Sequence, residues 1–129
     1  MTIALMLVTH VNVGKDMLSA AESIVGETAE NTACIDVPMD TDTDTVRSLA
    51  LAALDGLDYK DGVLILSDTF GSTPCNIASR LLESCRCNLV SGLNLPMLLS
   101  ILNYRDLPLD EVTDKAVNSG CKGITAQRH

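Results

Sequence analysis

The run Gly62-Val63-Leu64-Ile65-Leu66 is too short and too apolar for a surface helix, and it stops at Ser67-Asp68-Thr69-Phe70-Gly71-Ser72-Thr73-Pro74. Beyond that, Cys75 to Leu82 reads as helical. The order dictates a buried strand, a tight loop and a helix start. Pro74 suits the first helical position, where its missing N–H would have no partner, and Thr73 before it is a good N-cap. The predicted loop turns backbone N–H groups and the positive end of a helix toward the space beyond the strand's carboxyl end. An anion is stabilised in such a place.

The rest of the chain repeats the alternation. Residues 2–8 form a first strand that ends at Thr9-His10, with Val11-Asn12-Val13-Gly14 as a short connection. From Lys15 to about Gly26, Met17, Ala20, Ala21, Ile24 and Val25 recur at helical spacing. Thr32–Val37 is a second strand. Asp40-Thr-Asp-Thr-Asp-Thr45 lacks the glycine and later glutamate of a calcium loop, so it reads as an exposed turn that caps a helix over 43–54. A fourth strand covers Asn88–Ser91, followed by helices from Leu95 to Tyr104 and from Leu109 to Ser119, the latter stopped by Gly120. The tail from Cys121 to Ala126 is a short edge strand or an irregular end.

Strands alternating with helices imply an α/β fold with right-handed crossovers: one domain over 1–129, built on a mostly parallel, doubly wound sheet of about four strands with helices on both faces. Ligands of such sheets bind beyond the carboxyl ends of the strands. His10 and Asp68 both occupy such ends, and with strands one and three adjacent their side chains come within reach of each other.

Composition narrows the function. The net charge of -8 argues against nucleic acid, which calls for a basic face; it suits a basic protein partner, and plain solubility explains it as well. With one Phe, two Tyr and no Trp, the core must be aliphatic. Five cysteines, at positions 34, 75, 85, 87 and 121, lack the paired spacing of a zinc site. They are expected as reduced, mostly buried thiols of a cytoplasmic protein. The opening residues Met1–Val8 lack a charged leader and a cleavage site, and no apolar run approaches membrane-spanning length, so direct membrane insertion is not expected.

An imidazole beside a carboxylate has one nitrogen held as a donor, and the other keeps an exposed lone pair. Next to a helix start carrying the Thr69, Ser72 and Thr73 hydroxyls and the Gly71 turn, an incoming phosphoryl group meets donors on several oxygens. The pattern suits reversible phosphorylation of His10 with Asp68 as orienter, and it needs neither metal nor cofactor. No Walker-type loop, dinucleotide-binding glycine pattern or nucleophile elbow is present. With His129 at the frayed end, His10 is the catalytic candidate among the two histidines. Taken singly, each element has a plainer role: a hydrogen-bonded strand-end histidine, a loop-bracing aspartate, an ordinary helix start.

Val8-Thr9-His10, the stretch from Gly62 to Arg80, and Ser91-Gly92-Leu93-Asn94-Leu95-Pro96-Met97-Leu98 together resemble the mannose/fructose-family IIA component of the bacterial phosphoenolpyruvate-dependent phosphotransferase system. The resemblance implies a homodimeric α/β domain, with a short C-terminal strand exchanged between copies. Its histidine, His10 here, takes a phosphoryl group from the histidine phosphocarrier protein and passes it to a IIB component; its orienting aspartate is Asp68. The family loop commonly carries Gly-Ser where this chain has Ser72-Thr73, and Gly where it has Val11. No linker or IIB region follows the likeness, so sugar uptake with separate chains and a regulatory branch are both expected readings. Two others stand beside the phosphocarrier: a regulatory binding module read by its phosphorylation state, and the phosphotransfer subunit of dihydroxyacetone kinase.

Overall fold

Continuous apolar runs and helical periodicities become β1 (Ala4–His10), α1 (Val13–Val25), β2 (Thr32–Val37), α2 (Thr43–Asp55), β3 (Val63–Ser67), α3 (Thr73–Leu81), β4 (Cys87–Ser91), α4 (Leu95–Asn103) and α5 (Leu109–Lys122) in a computed structural model that describes residues 2–129. Met1, the first residue of the expected domain, lies outside the described residues. The four strands are parallel throughout, in the order β2-β1-β3-β4, so the expected adjacency of the first and third strands holds. This is a single α/β domain.

Each central strand faces two cores. Ile3, Leu5, Leu7, Leu64 and Leu66 meet α1, α4 and α5, whereas Ala4, Met6, Val8, Val63 and Ile65 meet α2 and α3. Successive side chains of a strand point to opposite faces, so a strand covered on both sides has no polar position to offer. That is why β1 and β3 read as unbroken apolar runs. Each fully buried Leu or Ile contributes about 1.5–3 kcal/mol of burial. The edge strands β2 and β4 are only half-buried.

Several boundaries move, each for a local reason. Strand β1 runs on to His10 because His10 still pairs with Val37, and it begins at Ala4 rather than Thr2. Helix α1 starts at Val13, not Lys15, because Asn12 takes a left-handed conformation (φ 69°) that turns the chain at once. Gly120 does not stop α5, which continues to Lys122. It is the contact point with α4, where a side chain would sit 2.9 Å from Met97 Cε. Residues 124–129 form no strand within this chain and are exposed, and Ile124 is the segment's one large apolar residue.

The expectation of five reduced thiols is also corrected. Cys85 and Cys87 are disulfide-bonded, their Cα atoms 5.6 Å apart and within bridging range. Cys34, Cys75 and Cys121 are free, and they are half-buried, buried and exposed respectively.

Candidate functional site

The connection leaving β1 crosses to the face of α1, and the one leaving β3 crosses to the face of α3. Between adjacent strands whose connections diverge, a crevice opens at the carboxyl edge. His10 closes β1 there, and Asp68 follows Ser67 at the end of β3. In β1 the residues Ala4, Met6 and Val8 face α2 and α3. By the same alternation His10 projects toward the side from which α3 begins.

The imidazole Nδ1 lies 2.8 Å from Asp68 Oδ2. The same oxygen accepts the His10 backbone N–H at 3.1 Å, so one carboxylate oxygen fixes both the ring and the main chain that carries it. A carboxylate only accepts, so Nδ1 bears the proton and Nε2 keeps its lone pair. Asp68 is largely buried, with 11% of its side chain exposed against 37% for His10. The acid is held behind the ring and the ring meets solvent. Asp68 Oδ1 is buried and has no partner among the described residues.

The loop after Asp68 is shaped by Ser72. Its N–H and hydroxyl both donate to the Thr69 carbonyl, at 3.3 and 2.6 Å, which closes a tight turn with Phe70 and Gly71 at its corners. Gly71 sits at φ +79°, the left-handed third position that this kind of turn requires and that glycine adopts without strain. Ser72 Oγ then accepts the Cys75 N–H at 3.4 Å. Ser72 is therefore the N-cap, Thr73 opens α3 and Pro74 is second, one residue earlier than the sequence predicts. Thr and Ser are both good caps, and the turn at Gly71 brings Ser72 to the position first.

Capping removes one of the expected anion donors, because the Ser72 hydroxyl hydrogen points at Thr69. Thr69, Gly71 and Thr73 remain exposed. In the first turn of α3 the Cys75 and Asn76 N–H groups are taken up by Ser72, and Pro74 has none. The Thr73 N–H has no acceptor among the described residues, so the positive end of α3 is left open. No group of three or more His, Cys, Asp or Glu among the described residues is placed to hold a metal ion.

The loops at the carboxyl edge of the sheet carry apolar side chains that the core does not use. Phe70 is 86% exposed and Met39, just past the end of β2, 88%. Val11, directly after His10, is half-exposed.

The model of the PTS system fructose IIA component (EIIA-man) matches residues 4–117. The chain belongs to that family. The EIIA-man chain is 36% identical over 129 residues to the PTS system mannose-specific EIIAB component of Escherichia coli (strain K12), covering 98% of its own length and 40% of that protein's. It thus spans well under half the length of this curated relative. Among solved structures, the mannose/sorbose specific IIA subunit of Enterococcus faecalis superposes with a TM-score of 0.86 at 25% identity, covering 100% of this chain and 97% of that one. The phosphotransferase system component EIIA of Streptococcus agalactiae gives 0.85 at 29% identity, with 96% of both chains covered. No helix among the described residues of this EIIA-man chain is long and apolar enough to cross a membrane.

Two supports of the site were not singled out in the sequence. Thr9, buried under α1, donates to the His10 carbonyl at 2.8 Å and accepts the Gly14 N–H at 2.9 Å. It ties the last turn of β1 to the first turn of α1. Asp36, on β2, accepts the Asn12 N–H and pairs with Lys15 at 3.0 Å, which holds the left-handed turn after His10. A hydroxyl residue before His10 and a glycine five positions later were the signals available.

Proposed function

We propose that this EIIA-man protein is a phosphocarrier. The Nε2 lone pair of His10 attacks the phosphoryl group carried by the phosphorylated histidine phosphocarrier protein. One P–N bond forms as the donor's P–N bond breaks, and the group then passes to a IIB component in sugar uptake. As Nε2 bonds to phosphorus the ring becomes cationic, and Asp68 stabilises that charge through Nδ1–H. The hydroxyls of Thr69 and Thr73, the turn at Gly71 and the open positive end of α3 receive the phosphoryl oxygens, while Ser72 holds the loop in shape.

The observation that carries this reading is the 2.8 Å contact of Nδ1 with a buried carboxylate, which leaves the opposite nitrogen free at an exposed edge. Exposed Phe70, Met39 and Val11 suit a partner that is itself a protein and docks transiently. The work is cytoplasmic in this account, where such a donor is found. The outer edge of β4 is unpaired, and a homodimer in which the 124–129 tail of one copy pairs along it fits that edge.

Incubation with phosphoenolpyruvate, enzyme I and the histidine phosphocarrier protein is expected to give an acid-labile phosphohistidine that His10→Ala abolishes. An unlabelled wild type, or full labelling of the variant, contradicts the proposal. A regulatory module read by phosphorylation state needs the same phosphohistidine, and differs in capturing a protein other than IIB.

A further inference from the structure

The bonded pair Cys85 and Cys87 flanks Arg86 in the connection from α3 to β4. Both residues are half-buried and lean on the aliphatic cluster beneath α2 and α3, while Arg86 is exposed. A bridge across one intervening residue restricts almost nothing in the unfolded chain, because the stabilisation from loop closure grows with the length of the loop. This bond is therefore poorly suited to be a staple of the fold.

It is well suited to reversible chemistry. When reduced, the two thiols stay tethered one residue apart, so the bond re-forms within the molecule. The thiolate is the form that attacks a disulfide. Half-exposure admits a small reagent. The other cysteines lack this combination: Cys75 is buried with Sγ 3.2 Å from Ser91 Oγ, burial pushes the Cys34 thiol up, and Cys121 stands alone on the surface.

We propose that Cys85 and Cys87 form a redox-modification site, a dithiol–disulfide couple exchanged with low-molecular-weight thiols and their disulfides. In oxidation one protein thiolate attacks a sulfur of the small disulfide; that S–S bond breaks, one small thiolate leaves, and a mixed disulfide forms. The second protein thiolate then attacks the protein sulfur of the mixed disulfide and expels the other small thiolate. The protein gives up two electrons and two protons, and the small disulfide leaves as two thiols; reduction is the reverse. The Arg86 carbonyl accepts the Val63 N–H at the start of β3 at 2.9 Å. Opening the bond accordingly loosens the turn between α3 and the edge strand β4, far along the chain from His10.

The full chain, equilibrated in glutathione buffers of graded ratio, then acid-quenched, denatured and alkylated, reads the couple by mass. Five alkylated cysteines are expected at the reducing end and three at the oxidising end, with a peptide link joining 85 to 87. Cys85→Ser and Cys87→Ser, which cannot resolve the mixed disulfide, each show four alkylated cysteines at the reducing end and a glutathione adduct on the remaining member of the pair at the oxidising end. Amide exchange over Asn88–Ser91 is expected to quicken roughly tenfold on reduction while β1 is unchanged. Five cysteines in the most oxidising buffer, three under excess dithiothreitol, a link through Cys34, Cys75 or Cys121, or equal exchange in both states overturns the proposal. None of these readings depends on whether His10 carries a phosphoryl group.

Discussion

The two ends of the same sheet treat a positively charged or protonatable side chain in opposite ways. At the amino edge, Arg105 is 7% exposed, and its guanidinium donates to the carbonyls of Ile3, Glu30 and Asn31 and to the Thr32 hydroxyl. It stitches the segment entering β1 to the one entering β2 from the α4–α5 connection. Burial lowers its pKa, yet those acceptors hold it in place. At the carboxyl edge, His10 has one nitrogen engaged and the other facing solvent. An end whose carbonyls are gathered by one buried guanidinium is structural, and an end that leaves donors and a lone pair open to solvent is arranged for a guest.

If that contrast is right, breaking the amino edge affects stability and leaves the chemistry intact. Arg105→Met removes four hydrogen bonds and leaves the Ile3 carbonyl without its donor, and we expect a loss of about 3 kcal/mol in denaturant unfolding. Phosphoryl transfer per folded molecule should persist below the lowered midpoint. The reverse holds at the other end. Asp68→Asn should slow phosphorylation of His10 by roughly a hundredfold, because an amide cannot stabilise the developing ring charge, with the unfolding midpoint nearly unchanged. A large loss of stability there would erase the distinction between the two edges.

Smaller effects sharpen it. Phe70→Ser is expected to weaken capture of the phosphoryl donor about tenfold, read as a higher KM with little change in kcat and no change in thermal midpoint. The smallest effect concerns Lys15, whose pKa is raised by its hydrogen bond to Asp36 and by that residue's charge. A raised value means the ammonium is favoured by folding, so its contribution is complete below the ordinary lysine range and is lost as the pH rises through the folded value. The small stability difference between wild type and Lys15→Gln should therefore vanish in strongly alkaline buffer.

The carboxyl edge was also the more legible end. Unbroken apolar runs ending in His10 and in Asp68 fixed where both residues lie along their strands, because a strand covered on two faces shows an unmistakable composition. Their contact required only that β1 and β3 be neighbours. Finer features were hidden by competition between equivalent residues: Ser72 and Thr73 are both good caps, and the turn geometry at Gly71 chose between them. Gly120 looks like a helix stop until its packing against Met97 is known. Nothing in Asn103-Tyr104-Arg105-Asp106 marks an arginine as buried, since its four acceptors come from residues 3 and 30–32, distant in the chain. The Cys-Arg-Cys spacing carries no sign of the Cys85–Cys87 bond, because whether two thiols meet depends on how the chain folds between α3 and β4.

Mapping which ring nitrogen of His10 becomes phosphorylated tests the central claim most directly. Phosphorus and nitrogen NMR on the labelled protein should place the phosphoryl group on Nε2, with Nδ1 still protonated toward Asp68. A phosphoryl group on Nδ1, or on any residue other than His10, would contradict the account.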